Sequence, residues 1–242
     1  MLKIISVIPA RSGSKGVPNK NIKELSGKPL IAYSIMASQK ASLINRTIVS
    51  TDSDRYAFLA KEYGAEIPFL RPSEYAGDKS TDYDFVKHLL DWLSDNENTL
   101  PDYIVHLRPT TPLRDPGVLD DAIRKFANNK DATSLRSAHE MPESAYKQFE
   151  MDDKYFKTIF TGAFDLDDAN KSRQSFPLTY APNGYVDILK TSHILSKNLL
   201  HGNRVMGYIT DNTIEVDTEE DFVFLEWQVN KNNKLIKTLF ND

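Results

Sequence analysis

The chain has 242 residues, with 30 Lys and Arg against 34 Asp and Glu, and a net charge of -4 argues against a general nucleic-acid binder. Apolar residues make up 40% and charged ones 26%, a globular balance that suits one large α/β domain spanning residues 1–242. The lack of cysteine excludes disulfides and thiolate metal sites, and no apolar run is long enough for a signal peptide or a membrane span, so the cytoplasm is the expected compartment and no membrane partner is expected.

Strand and helix patterns alternate from the start. Residues 3–8 read as a buried strand and 30–39 as a helix with Pro29 at its entry. A β-branched run at 46–50 precedes a helix over 54–63 that Gly64 closes. In the helix over 82–94, Phe85, Leu89, Leu90 and Leu93 form one stripe. A strand at 103–107 follows, then a helix from the Asp115-Pro116 start to 126. Strand-like 205–209 and 213–216 and a helix over 219–229 end the series. This rhythm predicts a Rossmann-like, mostly parallel sheet with helices on both faces. It breaks over 138–179, where Tyr146, Phe149, Tyr155, Phe156, Phe160 and Phe164 are too many aromatics for a free loop and point to a contact surface.

The segment after the first strand, IPARSGSKGVPNKNI (residues 8–22), carries the strongest chemical signal. Gly13 and Gly16 let successive N–H groups turn toward one anion, and Ser12 and Ser14 add hydroxyls. From residue 11 to 28 the cations Arg11, Lys15, Lys20, Lys23 and Lys28 face only Glu24. A basic loop at the C-terminal end of a first strand is where an open α/β sheet binds phosphates. It is not a Walker A loop, because Val17 follows Gly16, and Gly13 with Gly16 completes only part of a G-x-G-x-x-G fingerprint. Cations spread along the loop suit a triphosphate gripped by side chains as well as backbone. Near the other end, an extended 214–217 would put Glu215 and Asp217 on one face, where a Mg²⁺ ion would relieve their repulsion. The five histidines lack metal-ligand spacing, and no G-x-S-x-G elbow makes Ser12 or Ser14 a nucleophile.

The same loop, followed by SGKPLIAYSI, STDSD (50–54), RPSEYAGD (71–78), LRPTTPLRDP (107–116), SRQ (172–174), PNG (182–184) and IEVDTEED (214–221), resembles in order the cytidylyltransferases that make CMP-activated acidic sugars. That family includes the CMP-sialic acid (acylneuraminate), CMP-legionaminate, CMP-pseudaminate and CMP-KDO synthetases. The acylneuraminate branch fits better than the KDO branch, through the ARSGSKGVPNKN loop and the IEVDTEED ending.

The resemblance implies a nucleotide-diphospho-sugar transferase type of fold, a homodimer exchanging the 138–179 arm, and CMP transfer from CTP to a 2-keto-3-deoxy sugar acid with Mg²⁺. By that likeness Arg11, Lys15, Lys20 and Asn21 serve catalysis at the triphosphate, and Glu215 and Asp217 hold the metal. Ala10, Ser12, Gly13, Ser14, Asp78, Ser80, Thr110 and Thr111 fall on the nucleotide side, with Arg114 near base or sugar. Arg108, Lys147, Arg173, Asn183 and Asp187 fall on the sugar side, where an arginine fork suits a carboxylate. Four departures stand out. Glu215 replaces the usual aspartate, Arg108 a glutamine, Asp187 a tyrosine, and Leu199-Leu200 an aromatic pair. Three of these lie on the sugar side, so cytidylyl transfer is better supported than the identity of the acceptor. A KDO-like acceptor and a non-catalytic sugar-nucleotide-binding homologue stand as alternatives, and Arg108 and Asp187 could simply pair with each other.

Overall fold

Ile4 and Ile8 of β1 (Ile4–Pro9) enter one apolar cluster while Ile5 and Val7 enter another, so this strand is buried on both faces. The computed structural model describes residues 2–14 and 16–240. After β1, a small hairpin of β2 (Glu24–Leu25) and β3 (Lys28–Pro29) leads into α1 (Leu30–Lys40), β4 (Arg46–Ser50) and α2 (Asp54–Glu62). Then come α3 (Asp82–Glu97), β5 (Tyr103–His106), α4 (Pro116–Asn128) and β6 (Ser134–Glu140). A second hairpin, β7 (Phe149–Asp152) with β8 (Tyr155–Thr158), precedes β9 (Tyr180–Lys190), α5 (Thr191–Lys197), β10 (Val205–Ile209), α6 (Glu219–Lys231) and α7 (Lys234–Phe240).

Six strands form the central sheet in the order β10-β6-β9-β5-β1-β4. All its pairings are parallel except those of β9, which runs antiparallel to both β5 and β6. One face carries the larger cluster, with residues of α1, α2, α4, α6 and α7, and α3 and α5 pack on the other through Phe85, Leu89, Leu93 and Ile194. The fold is the expected α/β sheet with helices on both faces. β1, β4 and β5 end side by side, and the loops leaving their C-terminal ends build the site.

Two expectations are corrected, and one strand appears that the sequence leaves unassigned. Residues 213–216 join no strand ladder; Val216 N–H instead donates to the Thr110 carbonyl at 2.7 Å. Alternation survives without a ladder, since Val216 is buried while Glu215 and Asp217 are exposed. The unassigned strand, β9, runs through Pro182-Asn183-Gly184, letters that normally spell a turn, because the ladder with β6 is irregular between Arg136 and Ala138 and absorbs them. In the second correction, residues 138–140 are the end of β6, and the excursion opens at Met141, whose N–H donates to Thr179 O at 2.9 Å.

The site loops are tied together by Arg114, which is fully buried and therefore presents no face to a base or a sugar. Its Nε donates to Tyr185 O at 2.5 Å and Nη1 to Ser34 Oγ at 2.9 Å. Nη2 donates to Arg108 O at 2.7 Å and Gly184 O at 2.8 Å. Truncation would strand one buried and two partly buried carbonyls, so Arg114→Met is expected to cost about 3 kcal/mol or more, read from urea denaturation. A loss of less than about 1 kcal/mol would show that these bonds are replaceable.

Candidate active site

A cleft of about 390 Å³ opens where the loops after β1, β4 and β5 meet. Arg11, Ser14, Gly16, Lys20 and Asn21 line it from the first loop, Arg71, Tyr75, Ser80, Asp82 and Phe85 from the segment ahead of and into α3, and Arg108 and Thr110 from the loop after β5. Lys15 lies outside the described residues.

The first loop is held in shape from several sides. Asn21 is buried and donates through Nδ2 to Arg11 O at 3.0 Å. Arg11 pairs with Asp78 at 3.1 Å, on the rim of the cleft. Lys20 Nζ donates to Val216 O at 2.7 Å and to Asp217 Oδ1 at 3.1 Å, and Lys23 pairs with Glu219. Gly16 is required here, because a Cβ on it would stand 2.5 Å from Asp217 O. The carboxylate loop in turn is set by α6, where Asp221 Oδ2 accepts the N–H groups of Asp217 and Thr218, each at 2.8 Å. Thr110 Oγ1 donates to Glu215 Oε1 at 2.9 Å. Both carboxylates of the 214–217 segment thus stand at the mouth of the cleft, one on each side of Val216.

Among the described residues no group of three or more His, Asp or Glu is placed to hold a metal. Glu215 and Asp217 offer two exposed oxygen ligands, which suits Mg²⁺, an ion that takes one or two carboxylates and completes its shell with phosphate oxygens and water. The donor set fits.

Several expected ligands lie elsewhere. Ala10 is fully buried with its N–H on Ser50 O at 2.9 Å, and Ser12 is turned onto Asp52 rather than the cleft. Gly13 makes the turn between Ser12 and the cleft-lining Ser14, with φ of 74°. Thr111 and Asn183 are buried, the Thr111 hydroxyl donating to Asn183 O at 3.2 Å and Asn183 Nδ2 to Thr210 Oγ1 at 2.6 Å. Lys147 and Arg173 sit on the arm away from the cleft, and Arg173 pairs with Glu140. Asp187, 1% exposed, cannot meet a sugar directly; it takes Arg108 Nη1 at 2.8 Å, the ion pair that its replacement of tyrosine allowed for.

Arg108 also donates to Asp82 Oδ2 at 2.7 Å, and His106 lies beneath, 3.9 Å from both carboxylates. Burial, with Arg108 adding to it, pushes the His106 imidazole down to about 4, so it is neutral at neutral pH. Burial opposes the ionisation of Asp82, but the neighbouring His106 and Arg108 outweigh it and hold the carboxyl below its ordinary range. Arg71, buried beneath the cleft, donates to Ser50 Oγ at 2.9 Å and Ser50 O at 2.5 Å, and burial pushes it down to about 10. Arg71, Tyr75, Asp82 and Phe85 received no role from the sequence; RPSEYAGD contained the first two, and the other two read as a helix start and a core stripe.

The chain matches the family model described as Cytidylyltransferase over residues 5–234. It belongs to the cytidylyltransferase family. Over 222 residues it is 35% identical to the N-acylneuraminate cytidylyltransferase of Escherichia coli O18:K1:H7, an alignment covering 91% of this chain and 50% of that protein. It is 28% identical over 235 residues to the Post-translational flagellin modification protein B of Campylobacter coli, covering 96% of this chain and 97% of that one. The chain thus spans about half the length of the N-acylneuraminate cytidylyltransferases it matches, and nearly all of the Campylobacter protein. In fold it resembles CMP:2-keto-3-deoxy-manno-octonic acid synthetase complexed with CTP, with a TM-score of 0.65 at 15% identity over 95% of this chain and 99% of that one. No helix among the described residues is long and apolar enough to cross a membrane.

The buried imidazole makes a pH prediction. Folded His106 resists protonation down to about 4, whereas the unfolded chain takes the proton near 6.5. Its contribution is therefore complete above 6.5 and is lost as the pH falls toward 4. Between about pH 7 and about pH 5 the loss is on the order of 2 kcal/mol, and His106→Gln should remove that increment from the pH dependence of urea stability. Equal pH slopes in the two proteins would show that His106 does not titrate across folding.

Proposed function

We propose that this cytidylyltransferase transfers CMP from CTP to the anomeric hydroxyl of a nonulosonic, sialic acid-like sugar acid. The sugar hydroxyl gives its proton to solvent as its oxygen bonds to the α-phosphorus, the bond from that phosphorus to the bridging oxygen breaks, and pyrophosphate leaves. What carries this reading is the meeting, at one cleft mouth, of Arg11 and Lys20 with the exposed carboxylates Glu215 and Asp217. The relatives named for N-acylneuraminate, N,N'-diacetyllegionaminic acid and pseudaminic acid support the acceptor class.

Negative charge builds on the departing phosphates, so Arg11, Lys15 and Lys20 neutralise it while Ser14 and the loop backbone orient the chain of phosphates. Asn21 holds the Arg11 carbonyl and so the start of that loop. Ser80 and Thr110, with Arg71 beneath, form the nucleoside side of the cleft. Glu215 and Asp217 would hold Mg²⁺, which when bound supplies charge neutralisation at the triphosphate. Arg108, which lines the cleft, is the cation assigned to the sugar acid, and Asp187 pairs with its guanidinium.

The arm supplies the oligomer. Residues from Phe149 (38% exposed) through Phe160 (67%), with Phe164 and Leu178, leave an apolar surface that one chain does not cover. A homodimer built on the arm buries it and carries Arg173 and Lys147 toward the partner's sugar site.

Pyrophosphate release from CTP across a panel of sugar acids tests the activity itself; silence with every nonulosonic acid overturns it. Lys20→Ala should lower kcat by at least ~100-fold with the fold intact, the scale of one lost electrostatic donor. Asp217→Asn should raise the Mg²⁺ requirement or abolish turnover, and turnover insensitive to EDTA would remove the metal from the reaction. Light scattering should give a dimer, and Arg173→Ala should raise KM for the sugar acid more than for CTP; a monomer or the opposite KM order contradicts the arm's role.

A further inference from the structure

Asp52, the residue that ends the Ser-Thr-Asp run after β4, has no part in the chemistry above, yet its carboxylate is committed to the phosphate loop. Oδ1 accepts the Ser12 N–H at 2.7 Å, and Oδ2 accepts the Ser12 hydroxyl at 2.6 Å. Burial works against this carboxylate, but the two Ser12 donors outweigh it, helped by the charge of Arg71, and keep it ionised.

The arrangement is not needed to hold the sheet. β1 and β4 are paired as far as Pro9 and Ser50, and Ala10 N–H adds one more bond to Ser50 O at 2.9 Å. Asp52 acts beyond that ladder, on the Ser12 turn between Arg11, whose carbonyl Asn21 holds, and Gly13. Gly13, the next residue, has φ of 74°, and a Cβ built on it would meet nothing within 4 Å. With Ser12 drawn away onto Asp52, the turn at Gly13 brings Ser14 and Gly16 to the cleft.

An anion placed so close to a phosphate-binding loop is electrostatically unfavourable for the ligand, so its presence calls for a geometric benefit. We propose that Asp52 is a positioning residue for the triphosphate, holding the turn at Ser12 and Gly13 so that the loop meets CTP preformed. The proposal rests on the CTP reading given above. Preforming a loop removes an ordering cost from binding, so the effect belongs in nucleotide affinity and not in acceptor affinity.

Charge and geometry make opposite demands, which gives the test its signs. Asp52→Ala removes both the anion and the two acceptors, whereas Asp52→Asn removes the anion and keeps an oxygen for the Ser12 N–H, its amide donating to the Ser12 hydroxyl. Calorimetric titration with CTP and Mg²⁺ should show Asp52→Ala weakened by about tenfold, the equivalent of 1.4 kcal/mol, and Asp52→Asn binding as well as or better than wild type. KM for the sugar acid should stay unchanged in both, with melting temperatures close to wild type. Asp52→Ala binding CTP like wild type, Asp52→Asn falling as far as Asp52→Ala, or an equal rise in both KM values would each overturn the positioning role. If Asp52→Ala does not fold, Ser12→Ala removes the hydroxyl contact from the other side; it should weaken CTP about threefold, and unchanged binding overturns the proposal. The wild type is titrated first: no CTP binding there overturns the CTP reading together with the proposal, whereas wild-type binding with indifferent variants overturns the proposal alone.

Discussion

The buried guanidinium of Arg114 is the constraint on which the site depends. A charge with no solvent exposure is tolerated only when its donors are satisfied, and Arg114 spends its own on Tyr185 O, Gly184 O, Arg108 O and Ser34 Oγ. Burial pushes it down to about 9, still above neutral pH, so the charged form persists. The four bonds lock the loop after β5 against the middle of β9 and against α1. Thr110 then stands where its carbonyl takes Val216 N–H and its hydroxyl reaches Glu215. The carboxylate loop, distant in sequence, is thereby registered to the cleft.

Two kinds of ion pair surround that cleft, and they differ in purpose. Arg11 with Asp78, Lys20 with Asp217 and Lys23 with Glu219 each include a partner more than half exposed. Such pairs contribute little to stability in water and exchange readily for a better partner, such as a phosphate or a metal ion. The Arg108, Asp82, Asp187 and His106 group is different. Asp187 is buried, so removing Arg108 strips its charge of its nearest counter-ion, and the arrangement fixes where the Arg108 guanidinium can sit.

Much of the fold was legible along the chain. Strands at 46–50, 103–107 and 205–209 and helices after Pro29, Ser53 and Asp115 announced themselves through period and capping, which act over a few residues. The sequence likewise placed α6, and the first loop it singled out lines the cleft through Arg11, Gly16 and Lys20. β9 escaped because Pro182-Asn183-Gly184 looks like a turn until β6 is beside it with its irregular register. The 213–216 segment looked like a strand because its residues alternate; alternation reports only that one side is buried, and here the buried side rests on Thr110 rather than in a ladder.

By itself the sequence determined the sheet class, the glycines and cations of the loop after β1, the family resemblance and the two carboxylates near the C-terminal helix, because each is written in neighbouring residues. Only the tertiary structure decided which matched residues face the cleft. It turned Ser12 onto Asp52, buried Thr111, Asn183 and Asp187, and brought in Arg71, Tyr75, Asp82 and Phe85. The reason is that facing is a relation between segments far apart in the chain: the Lys20 and Asp217 pair joins residues 197 positions apart, and Thr110 and Glu215 are 105 apart. Local pattern states what a residue can bind, and long-range packing decides whether it is presented to a ligand or spent on the protein's own backbone.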